Sequence, residues 1–193
     1  MRIGVTGAKG FIGAHLLSTI KDKGTVVTLP RRKGFPGKQE LKRFVTNTDL
    51  IFHFGGVNRD TDEEILSGNI ISTSRLVESI LSYGKSSARL VFASSAQVYS
   101  WTNYIRPIRE TLKANPETVY GVSKQSAENL IKNSGIPFVI LIMSNVYGPG
   151  CMPNYNSVIP TLCYRAIKGL PLVVNGDGQQ CRDFIYIEDI VRA

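Results

Sequence analysis

Three evenly spaced glycines constrain this chain more than any other feature of its sequence. They stand in TGAKGFIG, which follows the apolar run RIGV and opens a segment with helical periodicity. Glycine at a strand-to-helix turn lets backbone N–H groups approach a phosphate, because no Cβ stands in the way, and the helix N-terminus adds a favourable dipole. The sequence therefore predicts a pyrophosphate site formed by Gly7, Gly10, Phe11, Ile12 and Gly13.

The rest of the sequence alternates between strand-like runs and helical patterns. The strand-like runs are residues 2–7, 25–29, 50–54, 88–94 and 136–143. Repeated β–α units with apolar strands predict an α/β protein whose parallel sheet is covered by helices on both faces, a Rossmann-type doubly wound fold. The longest helical pattern, DEEILSGNIISTSRLVESILSYG, should turn its apolar side inward at Ile65, Ile70, Leu76, Val77, Ile80 and Leu81.

The pattern changes after residue 143, where the sequence becomes rich in turns. We therefore expect one domain at residues 1–145 and the start of a C-terminal lobe at residues 146–193. A helix in this lobe should be interrupted early by Pro160. The final segment, EDIVRA, has the pattern of a helix that is beginning, so we expect the lobe to be incomplete and truncated.

Composition and charge narrow the choice of partner. Lysine and arginine exceed aspartate and glutamate by 23 − 15 = +8, and part of this excess is clustered in RRKGFPGKQELKR. No aromatic platform or DNA-reading motif accompanies the cluster, so we expect no nucleic-acid partner. The sequence has no apolar run long enough to cross a membrane and no signal-peptide core, which predicts a cytoplasmic protein without a membrane partner.

The remaining histidine and cysteine residues predict no metal site. Cys151, Cys163 and Cys181 are odd in number and lack C-x-x-C spacing, which is typical of reduced thiols. His53 follows a buried strand beside the expected cofactor cleft. We expect it to be packed and hydrogen-bonded rather than catalytic.

The end of the second strand-like run indicates which dinucleotide binds. NAD sites usually place an acidic residue there, where it bonds the ribose hydroxyls. This chain has Pro30, Arg31, Arg32 and Lys33 instead. A guanidinium group suits a 2′-phosphate and no carboxylate repels it, so Arg31 and Arg32 favour NADP(H), while NAD stays open.

A serine, a tyrosine and a lysine form the candidate catalytic group. Tyr120 and Lys124 stand four residues apart in YGVSK, so they share a face on a helix. A nearby ammonium lowers the pKa of a phenol from its usual value of about 10, which would make Tyr120 usable as an acid and base. Ser95, at the end of the preceding strand in FASSAQVY, could bond the oxygen that Tyr120 protonates, and Ser94 is its rival for that role.

Together these motifs resemble those of the extended short-chain dehydrogenases/reductases of the NAD-dependent epimerase/dehydratase group. The matching stretches are TGAKGFIG, DLIFHFGG, FASSAQVY, YGVSK, SNVYGPG and GDGQQCRDFIYIEDIVRA. The resemblance implies a nicotinamide cofactor, a nucleotide-sugar substrate and catalysis by Ser95, Tyr120 and Lys124. It implies that residues 1–145 form an NAD(P)-binding domain and that residues 146–193 begin a substrate-binding lobe. It also implies that Tyr120 and Lys124 contact the cofactor, and that Asn145 and Arg182 contact the sugar nucleotide.

Shorter stretches resemble narrower groups within that family. HFGGVNRD and CMPNYNSVIPTLCYRA resemble bacterial capsular-polysaccharide reductases, which act on a UDP-linked 4-keto amino sugar, whereas SAQVY and GDGQQCRDF are more similar to UDP-sugar 4-epimerases. Ala96 and Gln97 stand where dehydratases often carry an Asp-Glu pair, which disfavours dehydration. The sequence thus favours NADPH-linked reduction of a 4-keto UDP-sugar in surface-polysaccharide synthesis. UDP-sugar 4-epimerisation and a non-catalytic NADP(H)-binding module stay open, and so does a homodimer.

Overall fold

The computed structural model describes residues 1–30, 36–100, 107–155 and 157–193 of the 193-residue chain. The chain divides into two compact units, Met1–Ile142 and Met143–Ala193. The α/β class and the parallel central sheet that the sequence predicts are confirmed. The assignment of residues 1–145 to cofactor binding and of residues 146–193 to a substrate lobe stays a prediction.

The strands of the main sheet are β1 (Arg2–Thr6), β2 (Thr25–Thr28), β3 (Leu50–His53), β4 (Arg89–Ser95) and β5 (Phe138–Met143). They lie in the order β2-β1-β3-β4-β5. β1 pairs in parallel with β2 on one side and with β3 on the other, and β3 pairs in parallel with β4. The sheet is apolar because its central strands lie inside the protein, and Val5, Ile51 and Leu90 are fully buried. The strand order reverses between β1 and β3, which creates a crevice at the carboxyl ends of these two strands.

The connecting helices are α1 (Phe11–Ile20), α2 (Lys38–Val45), α3 (Asp62–Leu66), α4 (Ser72–Tyr83) and α5 (Val119–Lys132). α4 packs against both α2 and α5, so these three helices share one face of the sheet. Right-handed connections place α1 on the opposite face, because β2 and β3 lie on opposite sides of β1. The core beneath the three helices includes Leu41, Phe44, Val45, Leu76, Ile80, Phe92, Ala127 and Ile131.

A π-helical turn, Ser67–Ile71, joins α3 to α4 and changes which residues of this long helix face inward. A π turn contains one residue more than an α turn, so the helical face rotates across it. Regular periodicity predicted that Ile70 and Leu81 point inward, together with four other residues that are indeed buried. Instead Asn69 is buried and Ile70 is only half-buried. Leu81, in the last turn of α4, is 60% exposed.

The second unit contains a parallel pair of short strands and two helices. They are β6 (Asn145–Tyr147), α6 (Val158–Ile167), β7 (Phe184–Tyr186) and α7 (Ile187–Arg192). The expected interruption at Pro160 is wrong, because α6 runs through it. Proline is tolerated in the first turn of a helix, where the missing N–H would have no intrahelical acceptor. Among the described residues, no helix combines the length and the apolar character needed to cross a membrane.

Two leucines on α4 test this packing. We expect Leu76→Ala, at a side chain that is 2% exposed, to lower the free energy of unfolding by about 2–5 kcal/mol, because truncation leaves a cavity. Leu81→Ala on the same helix is the matched control and should change it by less than about 0.5 kcal/mol. Urea denaturation followed by circular dichroism measures both. Equal losses would show that the inward face of α4 is wrongly assigned.

Candidate functional site

The turn between β1 and α1 requires glycine at two positions, Gly7 and Gly13. Gly7 has φ = +68°, a left-handed conformation that favours glycine. A Cβ at Gly7 would lie 2.5 Å from the backbone nitrogen of Gly55, and a Cβ at Gly13 would overlap the carbonyl oxygen of Gly7. The protein's own packing therefore excludes side chains at both positions, because the turn lies directly against α1 and against the loop after β3.

Gly10 differs, because the described residues do not fill the space beside it. It is the exposed N-cap of α1, and among the described residues a Cβ there would meet only the carbonyl oxygen of Gly7, at 3.1 Å. Within the described ranges no side chain caps α1, and the first turn of this helix has no acidic residue. The N–H groups of Phe11 and Ile12 thus lie at a helix N-terminus that favours an anion. This opening fits the pyrophosphate of a dinucleotide.

Two consecutive serines at the end of β4 point to opposite sides of the strand. The hydroxyl of Ser94 is buried and donates to the Glu128 carboxylate at 2.5 Å. The hydroxyl of Ser95 accepts the backbone N–H of Gln97 at 3.2 Å, and this residue is half-buried. Because Ser94 is engaged in the interior, Ser95 is the accessible serine of the pair.

The segment that follows Ser95 lies against the first turn of α5. A Cβ at Gly121 would overlap the carbonyl oxygen of Gln97, so the helix is in close contact with the 3₁₀ turn Ala96–Val98. Tyr120 precedes Gly121 and is half-buried. This packing brings Tyr120 and Ser95 to the same end of β4.

Lys124 is buried one turn further along α5, with 5% of its surface exposed. Its Nζ donates to the carbonyl oxygen of Ala93 at 2.8 Å. The same atom lies 4.8 Å from the centroid of the Phe92 ring and 5.8 Å from that of the Tyr120 ring. A Cβ at Gly56 would lie 3.4 Å from Nζ, so the loop after β3 runs beside the amine. Lys124 therefore links β4, this loop and Tyr120.

Burial lowers the pKa of Lys124 to about 8, and the negative charge of Glu128 opposes that shift. The side chain is therefore mainly an ammonium at pH 7, although it is out of water. In this poorly solvated position the ammonium can attract negative charge that develops on the oxygen of Tyr120. Together the two side chains can hold a proton at the tyrosine oxygen and stabilise the anion that its departure leaves.

A buried asparagine that the sequence analysis missed holds the loop after β3. Asn69 lies in the π turn; its Oδ1 accepts the N–H of Val57 at 2.9 Å, and its Nδ2 donates to the Val57 carbonyl at 2.7 Å. Nδ2 also donates to Ser123 Oγ at 2.8 Å, which ties the loop to α5 beside Lys124. The sequence signal that could have revealed Asn69 is a polar residue inside an apolar helical stretch. A buried asparagine at such a position needs hydrogen-bond partners for its whole amide group.

His53 is packed and hydrogen-bonded, as expected from the sequence. Its Nδ1 is 2.7 Å from Thr6 Oγ1 and its Nε2 is 3.0 Å from Thr73 Oγ1. Thr73 already donates its hydroxyl hydrogen to the Asn69 carbonyl, so Thr73 accepts from Nε2–H and Thr6 donates to Nδ1. Burial and the charge of Lys124 lower the pKa of His53 to about 3, so this bridge between β1 and the π turn is neutral.

The remaining predicted site residues are Arg31, Arg32, Asn145 and Arg182. Arg31 and Arg32 are outside the described residues. Asn145 and Arg182 belong to the second unit, where Asn145 Nδ2 donates to the carbonyl of Asp183 at 2.9 Å. The pairing of β6 with β7 thus brings Asn145 close to the segment that contains Arg182. Within the described ranges, no three histidine, cysteine or acidic side chains are grouped so that they could hold a metal ion.

Comparison with known proteins agrees with the sequence resemblance. The sequence pattern of the NAD dependent epimerase/dehydratase family matches residues 3–193. A UDP-2-acetamido-2,6-beta-L-arabino-hexul-4-ose reductase of Pseudomonas aeruginosa is 32% identical over 198 residues, which cover all of this chain and 48% of that protein. This chain therefore spans about half the length of that relative.

Other similar proteins include epimerases. The uncharacterized UDP-glucose epimerase YtcB of Bacillus subtilis is 31% identical over 229 residues, which cover all of this chain and 71% of that protein. The crystal structure of UDP-glucuronic acid 4-epimerase from Bacillus cereus, in complex with UDP-glucuronic acid and NAD, matches with a TM-score of 0.85 and 28% identity. That match covers all of this chain and 71% of the epimerase. These comparisons confirm the resemblance on which the sequence analysis relied.

Gly10→Ala tests whether the opening at α1 holds a dinucleotide. We expect it to weaken the binding of NADH and NADPH by about tenfold or more, because the methyl group would occupy the space that the pyrophosphate needs. Thermal unfolding should change little, since among the described residues the methyl group would meet only the Gly7 carbonyl oxygen, at 3.1 Å. Gly37→Ala is the matched control, because no described residue lies within 4 Å of its Cβ. Unchanged affinities for Gly10→Ala in a fluorescence titration would place the dinucleotide elsewhere.

The buried amine predicts a pH dependence of stability. The folded-state pKa of Lys124, about 8, is below the ordinary lysine value of 10.5, so the unfolded chain binds more protons between these pH values. Burying the ammonium therefore destabilises the fold below pH 8, and this effect disappears as the pH rises to 10.5. Between pH 7 and 11, the unfolding free energy of the native protein should gain about 3 kcal/mol relative to Lys124→Met. Urea denaturation at each pH measures both proteins. A difference in unfolding free energy between them that does not vary with pH would contradict the shifted pKa.

Proposed function

The chain belongs to the NAD-dependent epimerase/dehydratase family, and we propose that it reduces a UDP-linked 4-keto sugar with NADPH in surface-polysaccharide synthesis. The observation that carries the proposal is the position of Lys124. Its amine is buried between β4 and the loop after β3, one helical turn from Tyr120. The first turn of α5 packs against the 3₁₀ turn that follows Ser95, which brings Tyr120 to the end of β4 where Ser95 lies. A ketone oxygen that reached this position would meet a proton donor, a cation and a second hydroxyl.

The chain's own residues would bind the cofactor and move one proton. The N–H groups at Gly10, Phe11 and Ile12 would hold the pyrophosphate, and Lys124 would contact the nicotinamide ribose. When bound, the nicotinamide exchanges hydride with the sugar carbon. Tyr120 would give its hydroxyl proton to the ketone oxygen as the carbonyl becomes an alcohol, while the ammonium of Lys124 stabilises the tyrosinate that remains. The hydroxyl of Ser95 would bond the same substrate oxygen and orient it.

The preference for NADPH is supported by the sequence at the end of β2. Arg31 and Arg32 occur where an NAD site usually has an acidic residue, and guanidinium groups bind a phosphate well. The solved Bacillus cereus epimerase is in complex with NAD, so NADH is the competing cofactor in any test.

The preference for a UDP-sugar is supported by the relatives and by the second unit. The Pseudomonas aeruginosa relative is a reductase of a UDP-linked hexul-4-ose, and the Bacillus cereus epimerase is in complex with UDP-glucuronic acid. We propose that Asn145 and Arg182 contact the sugar nucleotide. Arg182 has an exposed guanidinium group, which suits a diphosphate.

A UDP-sugar 4-epimerase is the second candidate, favoured by the two epimerase-type relatives. The same side chains would serve, with Tyr120 first removing a proton from the 4-hydroxyl and later returning it. The two reactions differ in their use of cofactor. A reductase oxidises one NADPH for each sugar converted, whereas an epimerase returns its cofactor to the starting oxidation state, so the amount of NADPH does not change.

Tyr120→Phe tests the proposed function directly. We expect kcat to fall at least about 100-fold, because the proton donor is lost. The dissociation constant for NADPH should change less than about twofold, because the ring and Lys124 are retained. NADPH consumption at 340 nm with a UDP-4-keto sugar measures turnover, and fluorescence titration measures binding.

Tyr83→Phe is the matched control for this variant. Tyr83 also has a lysine near its ring, with Lys42 Nζ 5.1 Å from the centroid, but it lies on α4 against α2. It should retain full activity. Full activity of Tyr120→Phe would exclude the assigned acid, and UDP-sugar interconversion without net NADPH consumption would favour the epimerase. Tight NADPH binding with no conversion of any UDP-sugar would favour a non-catalytic module.

A further inference from the structure

The face of α5 that carries Tyr120 and Lys124 continues for two more turns. Glu128 and Lys132 follow at the same four-residue spacing, so all four side chains lie along one face of the helix. The proposed reaction uses only the first two of them. Glu128 stands next to Lys124 on this face and is buried, so its contacts bear on the catalytic pair.

Glu128 is a buried carboxylate with two specific partners. Its exposed fraction is 3%. One oxygen accepts the Ser94 hydroxyl at 2.5 Å and the other accepts Lys132 Nζ at 2.8 Å. Lys132 is 48% exposed, so its contribution is weakened by water. Removing a carboxylate from water costs several kcal/mol, which the bonds to these partners and the charge of Lys124 offset.

Glu128 and Lys124 together hold consecutive residues of β4. The Ala93 carbonyl accepts from Lys124 Nζ at 2.8 Å, and the Ser94 hydroxyl donates to Glu128. The side chain from α5 donates in the first bond and accepts in the second. The two side chains lie one helical turn apart on α5. Ser95 is the next residue of the strand, so the distance between α5 and β4 is set immediately before the proposed catalytic serine.

We propose that Glu128 is a positioning residue for this site: its carboxylate anchors the end of β4 through Ser94 and provides the negative charge that keeps Lys124 an ammonium. The part of this role that concerns catalysis rests on the proposed function, whereas the part that concerns the charge of Lys124 does not. Glu128 acts through Lys124 and Ser94, without contact with the reacting atoms.

The titratable groups around Lys124 support this assignment. From β3, His53 is neutral at ordinary pH because its pKa is about 3. On α5, Tyr120 lies one turn before the lysine and Glu128 one turn after it. Burial lowers the pKa of Lys124, and the charge of Glu128 acts in the opposite direction. Without that charge less would oppose the desolvation, and the ammonium would lose its proton at a lower pH.

The titration of Lys124 can be measured without cofactor or substrate. We propose labelling lysine at ¹³Cε, assigning the Lys124 signal by its loss in Lys124→Met, and following its chemical shift with pH. In the native protein the midpoint should lie near pH 8. In Glu128→Gln it should lie lower by roughly one pH unit, because the opposing charge is gone. An unchanged midpoint in a folded Glu128→Gln protein would overturn the electrostatic role.

Lys132→Gln is the matched control, because it removes the lysine that forms an ion pair with the same carboxylate. Since Lys132 is half-exposed, the Lys124 midpoint should move by less than about 0.3 unit. A shift in Lys132→Gln as large as that in Glu128→Gln, and in the same direction, would assign the effect to a general loss of structure on α5 and overturn the proposal.

Activity measurements address the positioning role. With a midpoint lowered by about one unit, Glu128→Gln should lose roughly fivefold in kcat at pH 8 through loss of the ammonium. Glu128→Asp keeps the charge but shortens the side chain, so we expect the Lys124 midpoint to move much less while kcat falls at both pH 6 and pH 8. If Glu128→Gln does not fold, kcat and the Lys124 midpoint of Glu128→Asp still test the anchoring role. Native values of kcat and midpoint in Glu128→Asp and in Ser94→Ala would overturn the anchoring role.

The two proposals fail in distinguishable ways. If the native protein converts no UDP-sugar, the proposed function fails, and the Lys124 titration still decides whether Glu128 maintains the ammonium. If the native protein turns over normally and Glu128→Gln matches it in both midpoint and kcat, the proposed function stands and the role of Glu128 is wrong.

Discussion

Lys124 remains charged inside the protein only as long as neighbouring groups replace the water that it has lost. The Ala93 carbonyl, the faces of the Phe92 and Tyr120 rings and the charge of Glu128 provide that replacement. Their compensation is incomplete, because burial still lowers the pKa of Lys124 to about 8. A partly compensated ammonium attracts a developing anion more strongly than a hydrated one does, since little solvent screens the interaction. The position of α5 relative to β4 follows from the same contacts.

The glycine turn shows that one sequence motif can satisfy two unrelated requirements. Gly7 and Gly13 are needed because the loop after β3 and the first helix lie too close for a Cβ. Gly10 faces space that the described protein leaves open, at an uncapped helix N-terminus. The first requirement belongs to folding and the second to binding. The turn is therefore rigid where it meets the protein and accessible where a phosphate would approach, an arrangement that limits reorganisation on binding.

A hydrogen-bonded polar network connects this turn to the helix that carries the lysine. Thr6 of β1 bonds the neutral His53, His53 bonds Thr73, and Thr73 bonds the carbonyl of Asn69 in the π turn. The Asn69 amide then holds the loop after β3 and reaches α5. Buried polar groups are tolerated because their partners are satisfied within the network. Loss of one member would leave others unpaired, so the geometry at both ends of the network is coupled.

Local sequence patterns were sufficient to predict the α/β class, the parallel sheet, the strand-to-helix glycine turn and the common helical face of Tyr120 and Lys124. Those properties follow from local periodicity and from the backbone freedom of single residues. Local patterns could not reveal that the π turn buries Asn69 in place of Ile70, or that Pro160 is accommodated in the first turn of α6. The choice between Ser94 and Ser95, and the place of Glu128 beside Lys124, were decided only by tertiary structure. Each depends on which side chain from a distant part of the chain replaces water around a buried polar group, and that partner is fixed by packing rather than by spacing in the sequence.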